Sequence, residues 1–318
     1  MRRHTVSFTA VLLLACAEGG ERTTREPAVE LPAGAQAISL LGEPLYAPEL
    51  AADVREDREA KLAEARADYE ANSSDADAII WLGRRTAYLG RYREAIDIYS
   101  RGLERHPGDA RLYRHRGHRY ITVRQFDDAI ADLERAAQLI AGTEDVIEPD
   151  GLPNALNIPT STLHSNIWYH LGLAHYLKGD LESALRAYRR CMEVSANPDM
   201  LVATSHWLYM TLRRLGREGE AAVVLEPITA DLDVIENSSY HRLLLMYAGQ
   251  LAAEELLEEA QAAEAIENAT VGYGIANWHA YNGRLKQADG VLRSVLQGPQ
   301  WAAFGYIAAE ADLARPGG

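Results

Sequence analysis

His115 and His118 stand three residues apart in a run that also holds Arg114, Arg116 and Arg119. Side chains at that spacing share one face of a helix. Imidazoles set among guanidinium groups oppose a cation and favour an anion. A second concentration of ionisable groups, Asp145, Glu148, Asp150 and His164, lies in a stretch broken by Pro149, Pro153 and Pro159, where no helix can continue. Poised over a groove, these groups would offer an acid–base set to His118 or His206, although no motif joins them. The chain has no Gly-Xaa-Ser-Xaa-Gly elbow, no P-loop, no His-Glu-Xaa-Xaa-His and no Gly-rich dinucleotide loop. No catalytic residue is therefore assigned, and the chain reads as a binding protein rather than an enzyme.

The elements that must position these groups follow from an internal repeat. Ile79, Leu82, Gly83, Ala95, Tyr99, Gly102 and Pro107 form one copy; a frame shifted by 34 residues meets Tyr113, Gly117, Tyr120, Ala129, Leu133 and Ala136. A later copy reads Trp168, Leu171, Gly172, Ala184, Tyr188 and Cys191. The pattern resembles the tetratricopeptide repeat, a pair of antiparallel helices. The resemblance implies an all-α fold: a right-handed α-solenoid of about six helix pairs, with a helical cap at each end, over residues 50–313. Repeats are expected at 76–109, 110–143, 165–198, 202–235, 237–267 and 269–299. A helix over 50–71, with Leu62, Ala65 and Tyr69 on one side, caps the start, and one from Gln300 to Leu313 covers the end. An insertion of about 21 residues, roughly 141–164, separates the second and third repeats. Insertions in solenoids map to loops on one face, often the binding face.

In this family positions 2, 5, 9, 12 and 13 of each first helix face the concave side. Carried onto this chain, they give a groove lined by Arg84, Tyr88, Arg111, Arg114, His118, Tyr169, Tyr176, His206, Arg213, His241, Tyr273, Asn277 and Tyr281. The full set holds five Arg against a single Asp, inside a chain of net charge −14. A basic, Tyr-lined groove in an acidic shell suits an extended partner carrying carboxylates, because Arg forks bind carboxylate and Tyr offers a flat face with a polar tip. The family's clamp for a C-terminal carboxylate uses Lys and Asn where this chain has Ile80 and Arg84, so that ligand is not expected. His118, His206 and His241 could approach one another as metal ligands. No carboxylate or Cys accompanies them, and no metal or cofactor is expected.

The beginning of the chain resembles a bacterial lipoprotein signal. Arg2 and Arg3 precede the apolar run Val6–Ala15, and Leu13-Leu14-Ala15-Cys16 resembles a lipobox. Residues 1–15 are read as the signal peptide, Cys16 as the lipidated residue and 16–49 as a flexible tether. This implies attachment to a cell-envelope membrane on its extracytoplasmic or periplasmic side, with Ala17 favouring the outer membrane. The acidic charge argues against nucleic acid and against any membrane contact other than the N-terminal lipid. Cys191 is left without a disulfide partner and occupies a packing position. Two functions follow: an adaptor or scaffold holding a partner protein in the groove, or binding of a small anionic ligand, or catalysis on it, in a pocket closed by the 141–164 loop.

Overall fold

The computed structural model describes residues 31–262 and 265–315. Cys16 and the expected signal peptide lie outside them. Two short strands, β1 (Ala35–Ile38) and β2 (Pro44–Tyr46), pair antiparallel. Helix α1 (Ala52–Ala71) follows, burying Leu62 and Ala65 as its stripe requires. Then come α2 (Ala76–Tyr88) with α3 (Tyr92–Arg105), α4 (Ala110–Thr122) with α5 (Phe126–Leu139), and α6 (Leu163–Lys178) with α7 (Leu181–Val194). The later pairs are α8 (Pro198–Arg214) with α9 (Glu218–Leu225), α10 (Ser238–Tyr247) with α11 (Ala253–Ala262), and α12 (Ala265–Tyr281) with α13 (Leu285–Val295); α14 (Phe304–Ala314) ends the chain. The fold is the all-α solenoid of helix pairs that the repeat pattern implies.

Local chemistry starts the first four pairs at their places. The Asp75 carboxylate accepts from the Asp77 amide and Asp109 accepts from the Arg111 amide, so the same cap recurs one repeat later. Thr162 and Ser165 form a reciprocal capping box on α6, and Asn197 with Pro198 starts α8. Inside the first and third pairs a glycine admits an aromatic ring, and in the second pair Gly117 admits Leu133. A Cβ at Gly172 would come within 2.7 Å of the Tyr188 ring, which is fully buried. The turn between paired helices passes through the left-handed region, at Gly90 (φ 76°) and Gly216 (φ 71°) for example. The second pair places Arg124 there (φ 65°). Such a conformation costs an L-residue about 1–2 kcal/mol, so something must hold Arg124 in place.

That something is α14, and here the structure departs from the sequence reading. Instead of only covering the exposed end, α14 turns inward along the concave wall. Arg124 forks onto Glu310, with Nε 3.0 Å from Oε2 and Nη2 2.8 Å from Oε1, and donates to the Trp301 carbonyl at 2.8 Å. Both side chains are almost wholly buried. Phe304 packs at a tilt against His118 of α4, with ring centroids 5.4 Å apart, Asp312 pairs with Arg214 of α8, and Arg315 donates to the Leu177 carbonyl of α6. The helix fits because it is thin. Ala308, Ala309 and Ala311 are buried, and a Cβ at Gly305 would overlap the Ala269 carbonyl of α12.

The other departure is at the N-terminal side. The segment read as a tether over 16–49 is folded across 35–46. The hairpin packs on the first repeat, where Arg93 Nε donates to the Gln36 carbonyl at 2.7 Å, and on the C-terminal segment, where Trp301 Nε1 donates to the Tyr46 carbonyl at 2.7 Å. Leu40 N also donates to Glu310, so three distant segments meet at one carboxylate. Ala37 and Leu45 supply the apolar underside.

Candidate functional site

The concave residues named from the repeat positions divide into three groups. Arg84, Tyr88, Arg114 and His118 come together around a cavity of about 220 Å³, roofed by the inserted loop. Helix α2 presents Arg84 and Tyr88 one turn apart, and α4 presents Arg114 and His118 in the same way. Arg119, absent from the sequence-derived set, joins them. Arg84 lies 4.5 Å over the Trp81 ring, with its Nε 3.4 Å from the Tyr88 hydroxyl. Burial, then Arg114, Arg84 and Arg119, drive the His115 imidazole well below its ordinary pKa; burial and Arg119 do the same to His118. Both rings are therefore neutral at neutral pH, and the fixed positive charge is that of the arginines. Burial also depresses Arg114 itself, with Glu148 opposing and Arg84 and Arg119 reinforcing the effect.

The loop is ordered and lies over this wall. Its ends pair through an antiparallel bridge between Ile147 and Thr162. Glu148 brings Oε2 to 3.1 Å from Arg114 Nε and accepts from Asn166. Arg84 Nη1 donates to the Pro149 carbonyl at 2.7 Å and Arg85 Nη1 to the Gly151 carbonyl at 2.8 Å. The far end is held by Glu236, which accepts from Asn154 at 2.6 Å and Thr160 at 2.8 Å. Glu236 is itself positioned by the buried Asp199, whose carboxylate accepts the amides of Ile235, Glu236 and Asn237. Of the other ionisable candidates, Asp150 lines the cavity with Glu148 and His118, while Asp145 and His164 are taken up outside it. Asp145 accepts from Thr162 and from the His164 amide, and His164 Nε2 meets Thr143.

The second group is buried core, not groove surface. Tyr169 accepts from Trp207 at 2.8 Å and contacts the Tyr240 hydroxyl. The Tyr176 hydroxyl meets those of Tyr273 (2.9 Å) and Asn277 Nδ2 (2.5 Å), and Tyr273 donates to Asp312 at 3.0 Å. His206, 1% exposed, lies between Tyr240 and Tyr247, and burial lowers its pKa to about 3. His241 meets the Thr229 carbonyl at 2.7 Å, while His118 faces His170 and Phe304. The three histidines thus have separate partners, and no group of three or more metal-ligating side chains occurs among the described residues. These side chains are buried in their own network, which Asp312 of α14 joins, so they offer no open groove surface.

The third group stands apart from the cavity. Arg111 is taken up by Asp109, 2.6 Å away, and by Asp77. Arg213 lies 4.4 Å over the Tyr281 ring, near Tyr209. Cys191 is fully buried, 3.2 Å from the Thr204 hydroxyl, and burial pushes its thiol up to about 11. Sequence reasoning missed Arg85 and Glu236 as contributors, and placed Arg119 in the basic cluster around His118 but not in the groove set. Arg85 and Arg119 fall at neighbouring helix positions, and Glu236 becomes a partner only through the Asp199 turn.

Comparison with known proteins agrees with the architecture. Residues 165–197, which hold α6 and α7, match the tetratricopeptide repeat family model. The chain is 28% identical over 137 residues to the BBSome complex member BBS4 of Bos taurus, a match covering 43% of this chain and 22% of that protein. The corresponding protein of Mus musculus is 25% identical over 135 residues, 42% of this chain and again 22% of its own length. Among solved structures, YrrB, described as a TPR protein with an unusual peptide-binding site, gives 16% identity and a TM-score of 0.42, covering 74% of this chain and 92% of that one. MamA gives 15% identity and a TM-score of 0.41 over 63% and 93%.

Proposed function

We propose that this tetratricopeptide repeat solenoid is a protein-interaction scaffold, held at a cell-envelope membrane through Cys16, that takes an extended acidic segment of a partner on the Arg84–Arg114 wall. The repeat fold supports the scaffold reading, since stacked repeats build surfaces for other chains. The BBS4 relatives are by name members of a complex. One observation carries the finer reading: on that wall the arginines already hold a carboxylate and two main-chain carbonyls, the groups an acidic peptide offers. The anchor rests on the sequence before residue 17 alone. Changing Cys16 to Ser is expected to move the chain from the membrane to the soluble fraction and to remove the lipid mass from its N-terminus.

The scaffold reading is tested by affinity capture from the native envelope fraction with the wild-type chain and with Arg84→Ala/Arg114→Ala. Loss of a specific partner in the variant supports it; recovery of the same partner places binding elsewhere. The cavity of about 220 Å³ under the loop favours a second reading, a small dianion held with the loop closed. In that case inorganic phosphate or succinate raises the melting temperature of the wild type but not of the Arg variant.

A further inference from the structure

The inserted loop is built inside-out. Val146, Ile147, Leu152, Leu156 and Ile158 are all among the large apolar side chains that the described residues leave exposed. Apolar burial therefore does not hold this loop down. Polar contacts do: on the Arg84–Arg114 wall the Arg84 and Arg85 guanidinium groups donate to main-chain carbonyls, and Arg114 forms an ion pair with the Glu148 carboxylate. Main-chain acceptors are available from any extended peptide. Gly151 shows how closely the segment is seated, since a Cβ there would overlap the Tyr88 hydroxyl and the Arg84 guanidinium. The seat is also imperfectly filled. Arg114 Nε is buried without a hydrogen bond although Glu148 Oε2 is 3.1 Å away, so the contact is an ion pair off the line of the N–H, and the cavity remains beside it.

We propose that Glu148–Gly151 is a resident copy of the ligand this wall accepts. That ligand is an extended peptide presenting a carboxylate to Arg114, carbonyls to Arg84 and Arg85, and glycine under Tyr88. The loop must leave before a partner binds. This rests on the reading of the wall as a site for an acidic segment, and it adds the recognition pattern and the competitor. A tethered segment acts at an effective concentration of order 1 mM. Against a free peptide that binds the open wall at about 0.1 mM, the loop then weakens apparent affinity about tenfold.

The test uses a fluorescent peptide copying residues 145–152, and a second copy with the position of Glu148 changed to Gln. Each is titrated by anisotropy with the full chain as wild type, as Gly151→Val, and as Gly151→Val with Arg84→Ala and Arg114→Ala. Hydrogen exchange across 145–162 reports whether the loop is released; if Gly151→Val leaves it seated, replacing 147–158 by a Gly-Ser linker opens the same wall. The expected result is about tenfold tighter binding once the loop is released, lost with the Arg changes and weakened with the Gln probe. A released loop with no gain in probe binding overturns the proposal. If a captured partner binds wild type and loop-released chain equally, and still needs Arg84 and Arg114, the loop is no competitor and the proposal falls while the scaffold reading stands. If the Arg changes alter neither probe nor partner, both fall.

Discussion

Arg124 occupies a turn position where the first and fourth pairs use glycine, and the cost of that choice can be measured against what it secures. Arg124→Ala leaves the left-handed backbone in place and strips Glu310 of its forked partner at about 1% exposure. Removing one member of a buried pair costs about 3–5 kcal/mol, because the remaining charge is left uncompensated. Arg124→Gly loses the same pair but relieves the strain at φ 65°, a gain of about 1 kcal/mol. The expected order of stability is wild type, then Gly, then Ala. At about 2–4 °C per kcal/mol for a domain of comparable size, Arg124→Ala lowers the melting temperature by about 6–20 °C. Replacing the pair together, as Arg124→Met/Glu310→Met, recovers at least half of the loss, since an apolar pair leaves no charge buried. Denaturant melts followed by circular dichroism give the order, and hydrogen exchange locates the loss in α14 and the hairpin. The reasoning is refuted if Arg124→Ala lies within 1 kcal/mol of wild type, or if Ala is at least as stable as Gly.

Acid should weaken the fold through its buried histidines. His206 has a folded pKa of about 3, depressed by burial, against about 6.5 unfolded, so the unfolded chain binds the extra proton between those values and stability falls as pH drops through 6.5. His206 alone makes the chain about 2 kcal/mol less stable at pH 5 than at pH 8, and urea midpoints at the two pH values check this. Gly305→Val should drive α14 off α12, because the new side chain meets the Ala269 carbonyl; faster exchange in α14 with α4–α7 protection retained is the expected signature. Cys191, its thiol raised to about 11, should react with iodoacetamide at pH 8 only at the rate of unfolding. Labelling of the native chain at the rate of a free thiol would contradict its burial.

The helix pairs were legible because each repeat writes its own signals locally. Asp75 and Asp109 cap, Gly83 and Gly172 receive the rings of Tyr99 and Tyr188, and glycine closes most turns. The concave direction of Arg84, Tyr88 and Arg114 was legible for the same reason, as a helix face follows from spacing alone. What fills the concave side was not. The Ala-rich stretch from Ala302 to Ala311 announces a buried helix but not its neighbours, and the Arg124–Glu310 contact spans 186 residues. The hairpin was hidden because strands of four and three residues give no alternation to read. Repeat positions thus assign a residue to a helix face, while what packs against that face depends on contacts that no local pattern encodes.

The two fillings of the concave side differ in kind, and that difference locates the exchangeable one. Displacing α14 would expose its buried alanines and Ile307, strand the Tyr176–Tyr273–Asn277 network, and leave Arg124, Arg214 and Asp312 without partners. No incoming peptide of ordinary composition replaces all of that. Displacing the loop from the Arg84–Arg114 wall uncovers little apolar surface, since its large apolar side chains already face solvent. It breaks a few hydrogen bonds of about 0.5–1.5 kcal/mol each, somewhat more where a charge takes part, which an acidic peptide would remake in kind. Exchange there is close to isoenergetic, and the released loop would present Val146, Ile147, Leu152 and Ile158 beside the newly bound chain. The solenoid thus has one part of its concave wall sealed by packing and one part covered by contacts a partner could copy, which is why the proposed interaction site is placed on the second.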